Sequence, residues 1–308
     1  MNTKMVMAAP AKVNLTFDIV GSLGNGYHAI ESVMIPVDLC DQVELQISES
    51  GQIQLYCDRP HIPTDNRNIC HKAAEAFFRE TGINNPGLII NLTKNIPDQA
   101  GLGGGSADGA AVLKGLNEIF DTGLTLEDLG RIGVQIGADL PVCIWGENAF
   151  VRGIGEIITP LGPMPECYLV IAKPLTGSNT KEAYRRYDQG GSYIHPENSQ
   201  MVRAITDGGL EDIGRYAANL FEEILAIEEV AFIKKQLLDC GALGAVMSGS
   251  GTAVVGIFEE SGPASRCAGQ MKLRWPFACL CQPLDMKTRG KSCNLMPRRD
   301  KIPQPDKK

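Results

Sequence analysis

Between Asn95 and Asn117 the chain reads N-I-P-D-Q-A-G-L-G-G-G-S-A-D-G-A-A-V-L-K-G-L-N, with Gly101, Gly103, Gly104 and Gly105 falling in five positions. Glycine has no Cβ, so such a run can take positive φ and turn its amides toward one point. Ala107 to Phe120 contains no proline and repeats Leu113, Leu116 and Phe120 at helical spacing, which predicts a helix. Upstream, Leu88, Ile90 and Leu92 alternate as in a strand. A strand, a turn at Pro97, a glycine loop and a helix gather unpaired N–H groups and about half a positive charge at one spot, which suits phosphate. Ser106, at the mouth of the helix, adds a hydroxyl able to cap it or to reach a phosphate or its magnesium ion. No Gly-Lys-Ser/Thr closes the loop and G-x-G-x-x-G fits only loosely, so neither common nucleotide signature describes it. The plain alternative is a turn that only caps a helix.

A chain of 308 residues exceeds the usual single-domain length, so two domains with separate cores are expected. The formal charge of −7 argues against a nucleic-acid partner. From Lys272 onward the net charge is +7, leaving −14 before it, so an anionic substrate needs a basic patch assembled by the fold. Met1 to Pro10 lacks the apolar core of an export signal, and no run has the length of a membrane span; a cytoplasmic protein is expected. Ten scattered cysteines with no C-x-x-C read as reduced thiols, and His28, His61, His71 and His195 show no metal-ligand spacing.

Taken in order, Lys12 to Ile19 alternates strictly, with Val13, Leu15, Phe17 and Ile19 on one strand face and Lys12, Asn14, Thr16 and Asp18 on the other. The run Gly21 to His28 is a turn whose Tyr27 and His28 set a flat ring beside an imidazole, suited to a planar base. Val43 to Ile47 and Ile53 to Leu55 flank S-E-S-G and predict a hairpin. Pro63 to Gly82 predicts a helix stopped at Gly82, and Thr125 to Gly137 another with a capping-box start. Pro141 predicts an extended run from Val142 to Trp145, which leaves Asp139 as a turn residue, a cap or a working carboxylate. Pro160, Gly162, Pro163 and Pro165 mark a linker. Beyond it, Cys167 to Pro174 and the two apolar runs of Gly244 to Phe258 read as strands. Helices are expected over Val230–Cys240 and Gly262–Arg274, and a last strand over Pro276–Pro283. After Asp285 the chain is charged, carries three prolines and is expected to be a mobile basic tail, 286–308.

The core Pro97, Gly101, Leu102, Gly103, Ser106 resembles the second motif of the GHMP kinases, and G-A-V-M-S-G-S-G resembles their third. P-A-K-V-N-L around Lys12, N-G-Y-H at Tyr27 and His28, and G-A-D-L-P at Asp139 are similar to signatures of the branch that acts on a cytidine diphosphate-linked methylerythritol. The likeness runs from about Ala8 to Pro283. It implies an α+β, two-domain GHMP kinase fold, with a ribosomal S5 domain 2-like N-terminal domain (1–162) and a ferredoxin-like C-terminal domain (163–285). It further implies ATP-dependent phosphorylation of the substrate's 2-hydroxyl in non-mevalonate isoprenoid biosynthesis.

By the same resemblance Lys12 and Asp139 are catalytic, the Asp as base. Pro97, Asp98, Gln99, Ala100, Gly101, Leu102, Gly103, Gly104, Gly105, Ser106 and Ala107 bind ATP, with Ser106 a candidate Mg²⁺ contact, and Asn14, Tyr27 and His28 bind substrate. Asn68, Ile69, Cys70 and Lys94 edge the adenine pocket. Asn25, Ala107 and Thr252 depart from the family pattern, and Gly109 loosens the first turn of the phosphate helix. A GHMP kinase for another small alcohol, or a non-catalytic sensor on the same fold, are the competing readings.

Overall fold

The computed structural model describes residues 4–24 and 26–284. The expected tail, 286–308, lies outside the described residues, as does Asn25.

A single long strand organises the first half. β3 (Tyr27–Ile47) carries two partners along each edge. On one edge run β1 (Lys4–Asn14) and β2 (Thr16–Leu23), both antiparallel to it. On the other run β5 (Leu88–Thr93) and β6 (Ala149–Gly153). The alternating stretch around Lys12 is therefore two strands that break at Leu15, and its polar face is not solvated. Lys12, Asn14, Thr16 and Asp18 are all buried, because both faces of these strands are covered.

β4 (Ile53–Cys57) does not form the expected hairpin with β3. It pairs in parallel with β5, which inserts between them: Leu55 faces Ile90, while Val43 faces Leu92. Alternation marks a strand and leaves its partner open; Leu88 and Ile90 are fully buried and take the interior position.

α1 (Ile69–Thr81) begins where the Asn68 side chain accepts from the Cys70 N–H and ends at Gly82, with φ 70°. α2 (Gly104–Phe120) starts inside the glycine run, three residues earlier than expected. α3 (Leu126–Val134) carries the capping box of Thr125 and Asp128. The stretch expected to be extended after Pro141 is instead α4 (Leu140–Trp145). Proline in a first helical turn lacks an N–H that would be unpaired there anyway, so it starts this helix and does not prevent it. β6 then turns into β7 (Ile157–Pro160).

The linker leads into β8 (Tyr168–Lys173), and we propose the domain boundary there, at 162/163. The helices α5 (Thr180–Asp188), α6 (Asn198–Asp207) and α7 (Leu210–Tyr216) follow. β9 (Ala218–Asn219) then crosses back to pair in parallel with β2, before α8 (Leu220–Leu225) and α9 (Glu228–Asp239). β10 (Gly244–Met247), β11 (Val254–Phe258), β8 and β12 (Phe277–Cys281) form a four-stranded antiparallel sheet in that order, with α10 (Ser261–Arg274) between its last two strands in sequence.

The expected separation of cores is not found. One apolar cluster, with Ala74, Phe77, Leu113 and Leu116, belongs to the first half alone. Two others cross the boundary: Phe17, Ile19 and Met34 pack with Val170, Phe221 and Val254, and Val13, Leu15 and Leu102 with Ile171 and Val255. The apolar face of β1 and β2 is the seat of the second half. Burying it there leaves the two halves facing one another across the glycine loop.

Candidate active site

The glycine loop is bent by Gly101 (φ 73°) and Gly103 (φ 68°), both in the left-handed region where a side chain is strained. Close approach fixes the same positions. A Cβ on Gly101 would fall 1.8 Å from the Ser248 carbonyl oxygen, and one on Gly103 would fall 2.9 Å from Lys12 Cγ. The N–H groups of the first turn of α2 have no partner within the helix. They border a cavity of about 340 Å³ lined by Pro97 to Ser106, with Ile69, Lys94 and Asp139 beside it. Ala107, expected among the phosphate-binding residues, does not line it. It is buried, and its N–H is closed onto Gly103 O at 2.8 Å, because the helix has already begun.

Lys12 and Asp139, 127 positions apart in the sequence, meet at the edge of this cavity: Lys12 Nζ lies 3.4 Å from Asp139 Oδ2. The lysine is buried, its N–H bonded to Leu102 O and its Nζ donating to Asn14 Oδ1 at 2.6 Å. Asp139 stands at the start of α4 without capping it, and its side chain is 37% exposed, so the carboxylate is open to a ligand. Asn14 is wholly buried and its amide is engaged by Lys12, Ser32 and Ser248. Its side-chain oxygen thus holds Lys12.

Tyr27 and His28 follow one another in β3, so their side chains point to opposite faces and not side by side. Tyr27 is 58% exposed, whereas His28 is buried, stacked on Tyr184 at 4.8 Å, edge-on to Tyr187, and within 2.7 Å of Asp188 Oδ1. Tyr184, Tyr187 and Asp188 come from α5, and sequence reasoning missed them. Their only signal was two tyrosines three apart in a proline-free run, T-K-E-A-Y-R-R-Y-D, far from any motif and not read as a helix from the sequence. Burial holds the Tyr184 hydroxyl well above the usual phenol range.

The second half also reaches the phosphate cavity. Ser178, Thr180, Ser250 and Gly251 line its far wall, with Thr180 Oγ1 2.8 Å from Ser250 Oγ and Ser178 donating to Gly251 O. Of these only Ser250 and Gly251 lay in a recognised motif. Thr252, which departs from the family pattern, is buried and donates to Thr176 O, tying the third-motif turn to the segment before α5.

Of the residues expected at the adenine pocket, Ile69 and Lys94 line the cavity, Cys70 is buried, and Asn68 caps α1. Lys94 Nζ is not free: it is held between Asp41 and Asp108. Asp41 in turn accepts the N–H groups of Asn95 and Ile96, where the loop leaves β5. Burial pushes the Asp108 carboxyl up to about 8, with the charge of Asp41 adding to it. Gly109 is explained by packing, since a Cβ there would lie 2.6 Å from Ile69 Cγ2. Among the described residues no group of three or more His, Cys, Asp or Glu could hold a metal, and no helix is long and apolar enough to cross a membrane. A magnesium ion here would have to arrive with phosphate oxygens supplying most of its ligands, which is its common mode of binding.

The fold and this cleft define a small-molecule kinase: the chain belongs to the GHMP kinase family, its residues 68–147 matching the GHMP kinases N terminal domain and 201–276 the GHMP kinases C terminal region. Within that family it is 43% identical over 274 residues to the 4-diphosphocytidyl-2-C-methyl-D-erythritol kinase of Clostridium tetani (strain Massachusetts / E88), covering 88% of this chain and 97% of the relative. The enzyme of the same name from Clostridium botulinum (strain Alaska E43 / Type E3) is 39% identical over 273 residues, with the same coverage. The crystal structure of a 4-(cytidine 5'-diphospho)-2C-methyl-D-erythritol kinase superposes with a TM-score of 0.76 at 28% identity, over 91% of this chain and 100% of that one. A homoserine kinase from Cytophaga hutchinsonii ATCC 33406 superposes with 0.75 at 21% identity, over 92% and 95%, and speaks for the fold alone.

Proposed function

We propose that this chain transfers the γ-phosphoryl group of ATP to the 2-hydroxyl of 4-diphosphocytidyl-2-C-methyl-D-erythritol, a step of non-mevalonate isoprenoid synthesis. The observation that carries this reading is the approach of Nζ of Lys12, whose side chain packs against Gly103, to within 3.4 Å of Oδ2 of Asp139, which lines the glycine-loop cavity. The substrate assignment draws on the relatives named for this activity.

An alcohol is a weak nucleophile, so the exposed Asp139 carboxylate would accept its proton as the new P–O bond forms. Lys12 has three N–H donors. One is given to Asn14 and one points toward Asp139, which leaves a third for the transferring phosphoryl group, where charge builds up. The N–H groups at the start of α2 and the hydroxyls of Ser106, Ser178, Thr180 and Ser250 would surround the triphosphate from both halves of the molecule. Gly101 and Gly103 give the backbone its approach, and Pro97, Asp98, Gln99, Ala100, Leu102, Gly104 and Gly105 complete the cradle. Mg²⁺, brought with the nucleotide and touching Ser106, would supply charge neutralisation on the phosphates. Tyr27, exposed at the end of β3, and His28, backed by Tyr184 and bonded to Asp188, would approach the cytosine of the substrate from the two faces of that strand.

The test is an ADP-release assay over a panel of 4-diphosphocytidyl-2-C-methyl-D-erythritol, mevalonate and homoserine. Turnover with the first at least about a hundredfold above the others is expected, since unmatched polar groups in a site reject analogues that strongly. Preference for another alcohol would move the chain to a different kinase of the family. Binding without ADP release would make it a sensor.

A further inference from the structure

Asn14 Oδ1 receives the Lys12 ammonium at 2.6 Å, which requires the Asn14 side chain to present its oxygen, not its nitrogen, to the lysine. An amide can sit either way round in a slot of the same shape, so something must choose. The chooser lies on the opposite side of the side chain. Asn14 Nδ2 is 2.8 Å from Ser32 Oγ, and Ser32 Oγ is 2.5 Å from Thr16 O. A carbonyl oxygen only accepts, so the single hydroxyl proton of Ser32 is committed to Thr16 O. Ser32 is left with lone pairs alone to offer Asn14, and only the amide nitrogen can meet them. A reversed Asn14 would set its oxygen against those lone pairs and its N–H groups against the ammonium. Ser32, Thr16 and Asn14 are all fully buried, so no water substitutes for a lost partner there without rearrangement.

We propose that Ser32 is a positioning residue for phosphoryl transfer: by giving its one proton to Thr16 O it fixes the Asn14 amide, and through it the Lys12 ammonium that faces Asp139. The relay runs from β2 through β3 to β1, and Ser248 anchors its far end. The Ser248 hydroxyl accepts the Asn14 N–H at 3.1 Å and lies 2.9 Å from Gly101 O and 3.2 Å from Asn14 Oδ1. The lysine's holder is thereby bonded to the glycine loop as well. Ser32 does not line the glycine-loop cavity, and its bond toward Lys12 passes through Asn14.

This rests on the reading of Lys12 as the lysine that acts on the phosphoryl group, and the experiment separates the two. The turnover number and the KM for ATP are measured for Ser32→Ala, Ser32→Thr and Lys12→Met with the same alcohol substrate, together with each variant's Tm. Ser32→Ala should lower kcat by about 10- to 100-fold, the scale of a misplaced catalytic group, while KM for ATP stays within about threefold. Ser32→Thr keeps the hydroxyl and should return most of the lost rate. A folded Ser32→Ala protein with wild-type kcat and only a lower Tm overturns the proposal, as does a folded Ser32→Thr protein that returns none of the rate. If Ser32→Ala does not fold, Ser248→Ala takes its place, and unchanged kcat there is equally decisive against the relay. Normal turnover by Lys12→Met instead removes the functional reading itself.

Discussion

At the scale of single residues, the site separates groups that act from groups that hold. Asp139 carries the clearest test, because it lies at a helix start yet makes no capping bond, so its replacement leaves the helix terminus intact. Asp139→Asn should lower kcat by roughly 10² to 10⁴, the usual worth of a positioned general base, while retaining nucleotide binding. ADP release and calorimetric titration with ATP measure the two properties separately; near-normal turnover would remove Asp139 from the base role. The buried trio of Lys94, Asp41 and Asp108 holds the loop at both ends. Burial alone would lower the lysine's affinity for its proton, but the two carboxylates outweigh that and hold Lys94 firmly protonated.

Among the elements, α1 and α2 form the wall behind the phosphate loop, and their ends are defined locally. α1 starts on Asn68, whose Oδ1 accepts from Cys70 N at 2.9 Å and whose Nδ2 donates to Pro63 O at 2.7 Å. Asn68→Ala should therefore lower unfolding stability by about 1 kcal/mol, typical of a lost N-cap. In urea the midpoint should fall with the slope unchanged; an unaltered midpoint would show that the cap adds nothing. α2 starts differently: its cap is Gly103 in the left-handed region, with no side chain to accept the first N–H groups. A helix start without a capping side chain leaves those donors for an anion, which is why the glycine run and not a Ser or Asp stands at that point.

Across the whole molecule, the two halves share apolar cores, and this bears on how they unfold. The chain has two tryptophans, Trp145 in the first half and Trp275 in the second, and both pack against the same cluster that joins Phe17 and Ile19 to Val170 and Phe221. Single-tryptophan variants, Trp145→Phe and Trp275→Phe, should lose fluorescence signal at one common denaturant midpoint, as a cooperative unit requires. Two separated transitions would show that the shared cluster does not couple the halves. The return of β9 to β2 adds backbone pairing to the same union, and Asn219 extends it by donating to Met247 O and Gly249 O of the third-motif turn. The active cleft is thus framed from both halves, and the third-motif turn, lodged against Gly101 and Lys12, is held by a residue of neither the loop nor the lysine strand.

Local chemistry was legible in the chain. The glycine run, the stop at Gly82, the capping box at Thr125 and the alternating strands each depend on residues near one another, so their signals survive without the fold. The motifs carrying Lys12 and Asp139 were legible too, though not their 3.4 Å approach. Three kinds of fact came only with tertiary structure. Strand partners did, because alternation marks a buried face and is silent on which neighbour covers it; β5 entered between β3 and β4 for that reason. The side-chain environments of β1 and β2 did, because a polar face looks solvated until a second layer closes over it, as happened to Lys12, Asn14 and Asp18. And the groups supplied from far along the chain did: Tyr184 against His28, Ser250 and Thr180 opposite the glycine loop, Ser32 behind Asn14. A hydrogen bond between residues far apart in sequence leaves no periodicity or spacing to read, so only folding could bring these partners to light.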